Sequence, residues 1–194
     1  MAATQKKPAG GRRTASSGAR TASRGSKKKA ASAPIRREVG ALVCLLLAVF
    51  SAFGYLQIEA LFIDAFCGLV KGLIGYGFWL LPPMLLVGSG ILAFHRGRPV
   101  QLRLSCALLT PLLAGSFFHL VLAQQVYVWN LDLPVLLWEQ GRALESGGVV
   151  SGLLALALSS LFSPVGAGVV FVLAGAVMLM AAFNVTLADL VDAV

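Results

Sequence analysis

The stretch SSLFSPVGAGVV, Ser159–Val170, lies inside an apolar run that covers residues 147–183. As one straight helix, this run of about 37 residues would be about 55 Å long, far more than the hydrocarbon core of a bilayer, which is about 30 Å thick. Pro164 lacks a backbone donor and clashes with the preceding helical turn, and Gly166 relaxes the backbone just beyond it. The sequence therefore predicts a helix break at residues 162–166.

The break divides the run into two unequal segments. Residues 149–162 would form a helix of roughly 21 Å, which is short for a crossing and typical of a re-entrant or interfacial helix. Residues 165–183 are long enough to cross. If residues 149–162 also crossed, the C-terminus would change sides, and Asp189 and Asp192 are too weak a topology signal to decide between the two cases. We expect residues 149–162 to enter the membrane without crossing it.

The composition is that of a membrane protein. Hydrophobic residues make up 58% of the 194 residues and charged residues only 12%, and the mean hydropathy is +0.84, which is more apolar surface than a soluble core of this size can bury. Further predicted spans cover residues 39–56, 73–94 and 104–123. With residues 165–183 they predict an all-α integral membrane protein with four transmembrane helices and a short re-entrant or interfacial helix before the last span.

The basic residues are concentrated at the N-terminus. Eleven of the sixteen Lys and Arg residues, and one of the eight acids, lie in residues 1–38, which lack large apolar side chains apart from Met1 and Ile35. Such a segment buries too little surface to fold, so we expect a disordered basic tail at 1–38 and a membrane domain at 39–194. The residues expected to contact anionic lipid are Lys27, Lys28, Lys29, Arg36 and Arg37.

A second basic group, Arg96, Arg98 and Arg103, lies between the second and third predicted spans. Short loops rich in Lys and Arg stay in the cytoplasm, and the basic tail obeys the same rule. Both conditions are met if the first two spans form a hairpin, with residues 57–72 and 124–146 facing outward. Four crossings then place both termini in the cytoplasm.

Small residues recur at helical spacing in the final apolar run. Gly148 and Gly152 form a G-x-x-x-G pair, and small residues that repeat every four positions allow two helix backbones to approach closely in lipid. This pattern indicates close packing within the chain, between copies of the chain, or both. The predicted helix-packing residues are Gly148, Gly152, Ala155, Ser159, Gly168 and Gly175, and the residues predicted to form the helix break are Pro164 and Gly166.

The sequence offers few residues that could form a catalytic, metal or cofactor site. The three cysteines form no C-x-x-C pair, and no G-x-x-x-x-G-K-[ST] loop occurs, so no catalytic residue, metal or cofactor is predicted. His119, the only ionisable side chain inside a predicted span, is either a structural histidine or part of a transport path. Pro82, Pro83 and Pro111 either kink packed helices or form a hinge of the kind that transporters use.

The order of these parts resembles the N-terminal membrane region of FtsK/SpoIIIE DNA translocases. The resemblance is carried by Gly147 and Gly148, the following Gly152, the LFSPVGA break at residues 161–167, and the apolar last helix that leads into NVTLADL at residues 184–190. It implies a membrane anchor in the bacterial inner membrane for an ATP-driven DNA pump at the division or sporulation septum, with copies of itself and other division proteins as partners. The resemblance places the motor after the last span, and no position in residues 1–194 matches its motifs.

Three hypotheses follow from the sequence. The first is a membrane-anchoring and septum-targeting module without chemistry of its own, which reaches DNA only through a motor domain and serves chromosome segregation and cell division. The alternative is a small transporter or channel subunit that uses the kinked second and third spans and His119. The third is a generic membrane scaffold with no link to DNA.

Overall fold

The chain folds into helices. The computed structural model describes residues 27–56, 60–94, 100–123 and 125–183, with side chains from residue 37 onward, and these residues form no strand, which confirms the predicted all-α fold. The chain divides into two units, residues 1–34 and 35–194. The helices are α1 (Lys27–Phe53), α2 (Leu61–Ile74), α3 (Leu81–Phe94), α4 (Val100–Leu122), α5 (Leu133–Arg142) and α6 (Gly148–Phe183), and a 3-10 helix, Gly75–Leu80, joins α2 to α3.

Three helical stretches in the described part of the chain are long and apolar enough to cross a membrane. They are Leu61–Phe94, Val100–Leu122 and Gly148–Phe183. The first predicted span, 39–56, is not among them because α1 ends at Phe53. The uncharged part of this helix, residues 39–53, is therefore only about 22 Å long.

α1 begins earlier than the sequence predicts. It starts at Lys27, whereas the expected disordered tail reaches residue 38. The segment KKKAASA at residues 27–33 consists largely of Lys and Ala, which have high helix propensity, so the helix extends back into the basic region. Residues 1–26 of the predicted tail lie outside the described residues.

α1 runs antiparallel to the unit formed by the 3-10 helix and α3. Near one end, a Cβ at Gly40 would lie 3.4 Å from Cδ1 of Leu92. Near the other end, the hydroxyl of Tyr55 donates a hydrogen bond of 2.6 Å to the carbonyl of Trp79, and the two rings stack with their centroids 4.9 Å apart. These contacts place α1 beside the second predicted span, as a hairpin of the first two spans requires.

α4 and α6 also run antiparallel. The backbone N–H of Gly147, just before α6, donates to Nδ1 of His119 near the end of α4. At the opposite end, Nε of Arg103 in the first turn of α4 donates to the carbonyl of Ala182 in the last turn of α6. We call the end that contains His119 and Gly147 the junction end, and the end that contains Arg103 and Ala182 the arginine end.

α6 is two helical segments joined at a kink. Ser163 has a non-helical backbone, φ 65° and ψ 157°, directly before Pro164, within the region where the sequence predicts a break. On either side of it, Ala155 lies in one buried apolar cluster with Ala167 and Phe171. Because Ala155 and Ala167 would be about 18 Å apart along a straight helix, this cluster requires the chain to fold back at Ser163.

The prolines of the second predicted span do not interrupt a helix. Pro82 and Pro83 occupy the first turn of α3, where a missing backbone N–H removes no helical hydrogen bond. Pro111 lies inside α4 and is fully buried. The 3-10 helix packs directly on it, because a Cβ at Gly77 would overlap the carbonyl oxygen of Pro111.

α5 packs on α2 at the junction end. A Cβ at Gly72 would lie 2.7 Å from the indole ring of Trp138, and one at Gly141 would lie 2.8 Å from the carbonyl of Lys71. α5 ends in a Schellman motif, with a hydrogen bond from the Glu145 N–H to the Gln140 carbonyl. The chain can therefore reverse immediately and enter α6.

Candidate functional site

At the junction end, the backbone of one helix meets the backbone of another with no side chain between them. A Cβ at Gly75 would overlap the carbonyl oxygen of Ser146, and one at Gly148 would lie 2.7 Å from the carbonyl oxygen of Gly72. Both glycines have positive φ, 45° and 74°, which other residues adopt at a cost. The backbone N–H of Tyr76 donates a hydrogen bond of 3.1 Å to the carbonyl of Ser146. We call this contact between the end of α2 and the start of α6 the glycine junction.

α4 joins the glycine junction through Gly115. A Cβ there would lie 2.6 Å from the carbonyl oxygen of Ile74 and 2.9 Å from Oγ of Ser151. Oγ of Ser151 donates to the carbonyl of Leu112, at 3.1 Å, so a polar side chain of α6 is satisfied by the backbone of α4. Small residues at these positions let three helices approach at backbone distance, which is the way helices associate in lipid.

His119 connects α4 to the glycine junction through a hydrogen bond. Its side chain is only 1% exposed, and its Nδ1 accepts a hydrogen bond of 3.0 Å from the backbone N–H of Gly147. Because Nδ1 accepts, the proton of the neutral ring belongs on Nε2, which is buried and has no hydrogen-bond partner in the described part of the chain. The ring of Tyr127 lies over the imidazole, with centroids 4.9 Å apart. This arrangement fits the structural role considered for His119, since the ring joins α4 to the start of α6.

Three of the predicted packing residues, Gly148, Gly152 and Ala155, are packed against other parts of the chain. Gly148 forms part of the glycine junction, a Cβ at Gly152 would lie 2.9 Å from Cδ2 of Leu137, and Ala155 is fully buried. Ser159 is half-buried, and its hydroxyl donates to the carbonyl of Leu156, at 2.9 Å.

The two predicted packing residues of the second segment of α6, Gly168 and Gly175, are placed differently. A Cβ at Gly168 or Gly175 would have no heavy atom within 4 Å. These two glycines therefore make no close packing contact within the described part of the chain, and a packing role for them would need a partner outside it.

The residues of the helix break lie on the surface of the protein. Pro164 is exposed and Gly166 is half-buried, and a Cβ at Gly166 would lie 3.2 Å from Cβ of Phe162. The residue with the unusual backbone is their neighbour Ser163, in a region of φ and ψ that is almost restricted to glycine.

The predicted lipid-contact residues lie on α1. The backbone there is helical from Lys27, but the side chains of Lys27, Lys28, Lys29 and Arg36 lie outside the described residues, as do Arg96 and Arg98 of the arginine loop. Arg37 is half-buried.

Sequence reasoning missed the glycines of α2, the 3-10 helix, α4 and α5 that complete the junction. Their signal is the repeated glycine in KGLIGYG, residues 71–77, and the isolated Gly115 and Gly141. It also missed that Arg103, read only as a topology signal, is the donor to the last turn of α6. That contact joins residues far apart in the sequence, so no local pattern indicates it.

A polar cavity of about 420 Å³ opens beside the junction. In its wall, the hydroxyl of Tyr127 donates to Oε1 of Gln140, at 2.7 Å, and Nε2 of Gln140 donates to Oε1 of Gln125. Burial raises the pKa of Tyr127, and the neighbouring Tyr76 and Glu145 raise it further, so this hydroxyl stays protonated and can donate. Among the described residues, no group of three or more His, Cys, Asp or Glu could hold a metal ion.

Comparison with known protein families assigns residues 64–194 to one family. Residues 64–194 match the family model described as the 4TM region of DNA translocase FtsK/SpoIIIE. This match confirms the resemblance inferred from the sequence, and its range includes the whole glycine junction and α6. No curated protein and no solved structure matches the chain significantly.

Proposed function

Because the chain belongs to the family of the 4TM region of FtsK/SpoIIIE DNA translocases, we propose that it anchors such a translocase in the bacterial inner membrane and directs it to the division septum, in support of chromosome segregation and cell division. The observation that carries the proposal is the family match over residues 64–194. A membrane region of this kind is not the ATPase motor. DNA is reached through a motor domain, and the anchor contributes position alone.

We further propose four crossings. They are α1 with the uncharged turn at residues 54–56 that follows it, the 3-10 helix with α3, α4, and residues 164–183 of α6, while residues 148–162 remain at the junction end. The contacts of the first segment of α6 support this proposal, because Gly147 meets His119 and Ser151 meets Leu112. Both partners lie in the second half of α4. A segment that crossed the bilayer would reach the first half of α4, where Ala182 lies instead.

The same arrangement supports a cytoplasmic C-terminus. Arg103 belongs to the basic group after α3 that favours the cytoplasm, and its Nε contacts the carbonyl of Ala182 at the end of α6. The chain therefore leaves α6 at the arginine end. A motor attached beyond that point would lie on the side of the chromosome.

The mechanism we propose is passive. The glycine junction and His119 hold α2, α4 and α6 in one rigid unit, and the second segment of α6 carries the connection to the motor. The open surface around Gly168 and Gly175 is where we propose that copies of the chain meet, since glycines allow close backbone approach in lipid. Association of the anchors would raise the local concentration of motors. Division proteins are the other proposed partners, at the junction end.

The proposal is tested with reporters fused after Val194. A reporter that is active only in the cytoplasm should be active, and one that is active only outside should not, and a fluorescent fusion should concentrate at the septum. A matched fusion after Ala123, which ends the third proposed crossing, should give the opposite reporter pattern. An external position of the residue 194 fusion would refute the topology, and a uniform membrane distribution of the fluorescent fusion would refute the septal role.

A further inference from the structure

Residues 126–136, which cover most of the link between α4 and α5 and the first turn of α5, carry far more exposed apolar surface than a link in water would. Val126 is 95% exposed and Leu131 is 97% exposed. Tyr127 turns the other way, with its ring against His119 and its hydroxyl on Gln140. The large apolar side chains exposed in this segment are Val126, Val128, Trp129, Leu131, Val135 and Leu136.

This surface continues the lipid-facing surface of α4. The last turns of that helix expose Phe118, Val121 and Leu122, and Val126 follows closely after them. α4 has 23 residues and is therefore about 34 Å long, which is enough to traverse the hydrocarbon core. The segment begins where the core gives way to the headgroups.

Contacts with His119, made before and after this segment, also keep it close to the membrane boundary. Tyr127 is fixed against His119, and the chain returns through α5 to Gly147, which is bonded to the same His119. That residue lies about one turn inside the end of α4. The segment therefore lies beside the membrane boundary instead of projecting far into water.

The polar groups of residues 126–136 limit how deeply this segment can lie in the membrane. Residues 125–130 form no helix or strand, and backbone groups outside regular structure need water, which the hydrocarbon core does not provide. Asp132 is the only charged residue between positions 126 and 136, and a carboxylate gains nothing from anionic headgroups. Shallow contact with neutral, zwitterionic lipid satisfies both conditions, and the exposed Trp129 has the amphipathic ring typical of this zone.

We propose that residues 126–136 form an interfacial anchor, which inserts Val126, Val128 and Leu131 into the boundary between headgroups and acyl chains of the leaflet at the junction end. The apolar side chains contact the bilayer in which the chain is already embedded. The inference stands independently of the translocase function, because it needs only the membrane location of the chain.

The test uses spin labels on the full chain reconstituted in phosphatidylcholine vesicles. Single cysteines replace Val126 or Leu131 in a chain with Cys44, Cys67 and Cys106 changed to Ala, and Glu139→Cys on the exposed side of α5 is the matched control. Collisions of each label with oxygen, which partitions into lipid, and with a nickel chelate, which stays in water, report its depth. Because the native side chains at the two test positions are almost fully exposed, these substitutions leave the fold intact, which circular dichroism verifies.

The expected result is an oxygen-to-nickel collision ratio several-fold higher at residues 126 and 131 than at residue 139. A second change, Leu131→Asp, should lower the ratio measured at residue 126. Equal ratios at all three positions would overturn the proposal, since the segment would then lie in water. Low collision with both reagents would also overturn it, because the label would then be buried against protein, such as a second copy of the chain.

Discussion

Ser163 carries the least favourable backbone conformation in the described part of the chain. With φ 65° and ψ 157°, it occupies a region that is almost restricted to glycine and costs other residues about 1–3 kcal/mol. The chain tolerates this because the fold on both sides of the kink fixes the position of Ser163, through the cluster of Ala155, Ala167 and Phe171. The geometry of the turn, and not the serine side chain, is what the fold requires there.

Ser163→Gly should therefore stabilise the protein. Relief of the strained backbone outweighs the greater flexibility of glycine in the unfolded chain, so we expect a gain of about 1 kcal/mol. Unfolding in mixed micelles of increasing SDS content measures it. Ser163→Ala is the matched control, since it removes the hydroxyl and keeps the Cβ, and it should bring no such gain. A glycine variant less stable than the alanine variant would contradict the assigned backbone.

His119 acts at the residue scale through one acceptor atom. Asn places an oxygen close to the position of Nδ1, so His119→Asn should keep the hydrogen bond from the Gly147 N–H. His119→Leu leaves that buried N–H unpaired, which costs about 1–3 kcal/mol. Micelle unfolding should rank the wild type and the Asn variant above the Leu variant. If the hypothesis of a proton path were right instead, the Asn and Leu variants would lose a proton flux equally, and that flux can be measured in vesicles with an enclosed pH dye.

At the scale of elements, the sequence predicts helices well and their junctions poorly. Apolar length and charge locate α3, α4 and α6, and Pro164 locates the kink, because these signals are local. The extension of α1 to Lys27 and its end at Phe53 depend on propensity and on the turn that follows. The glycine junction depends on tertiary contact, and a glycine that meets a backbone oxygen looks the same in a sequence as one that faces lipid.

Gly168 and Gly175 are the clearest example of that ambiguity, since both leave open space on the second segment of α6. If copies of the chain meet there, Gly168→Leu and Gly175→Leu should lower self-association several-fold by preventing close backbone approach, with helical content unchanged. Energy transfer between labelled chains in vesicles measures this. Gly90→Leu is the matched control, because that glycine also faces open space but lies on α3. Equal association in all variants would exclude this surface as the contact.

At the scale of the whole molecule, the decisive quantity is the number of crossings. The sequence leaves the role of residues 149–162 undecided on charge alone, since Asp189 and Asp192 have little influence. The contacts support the proposed four crossings, because they relate both segments of α6 to positions along α4. The residues after 183, which would carry the connection to a motor, lie outside the described residues.

The proposed topology places Ser163 on the outer side of the membrane. In a chain without other cysteines, Ser163→Cys should react with a membrane-impermeant maleimide added to intact spheroplasts. Gln101→Cys, near the arginine end, should react only after the membrane is permeabilised. The reverse pattern at residue 163, with reaction only after permeabilisation, would mean that residues 148–162 cross the bilayer and that the four-crossing arrangement is wrong.

The contact between Arg103 and the Ala182 carbonyl has a mechanical consequence. A motor that draws DNA past itself exerts an equal and opposite pull on whatever tethers it, and that tension would enter the anchor at the end of α6. The guanidinium holds this last turn to the first turn of α4, so the load would be shared between two helices before α6 could unwind from its C-terminal end. Arg103 would then resist traction.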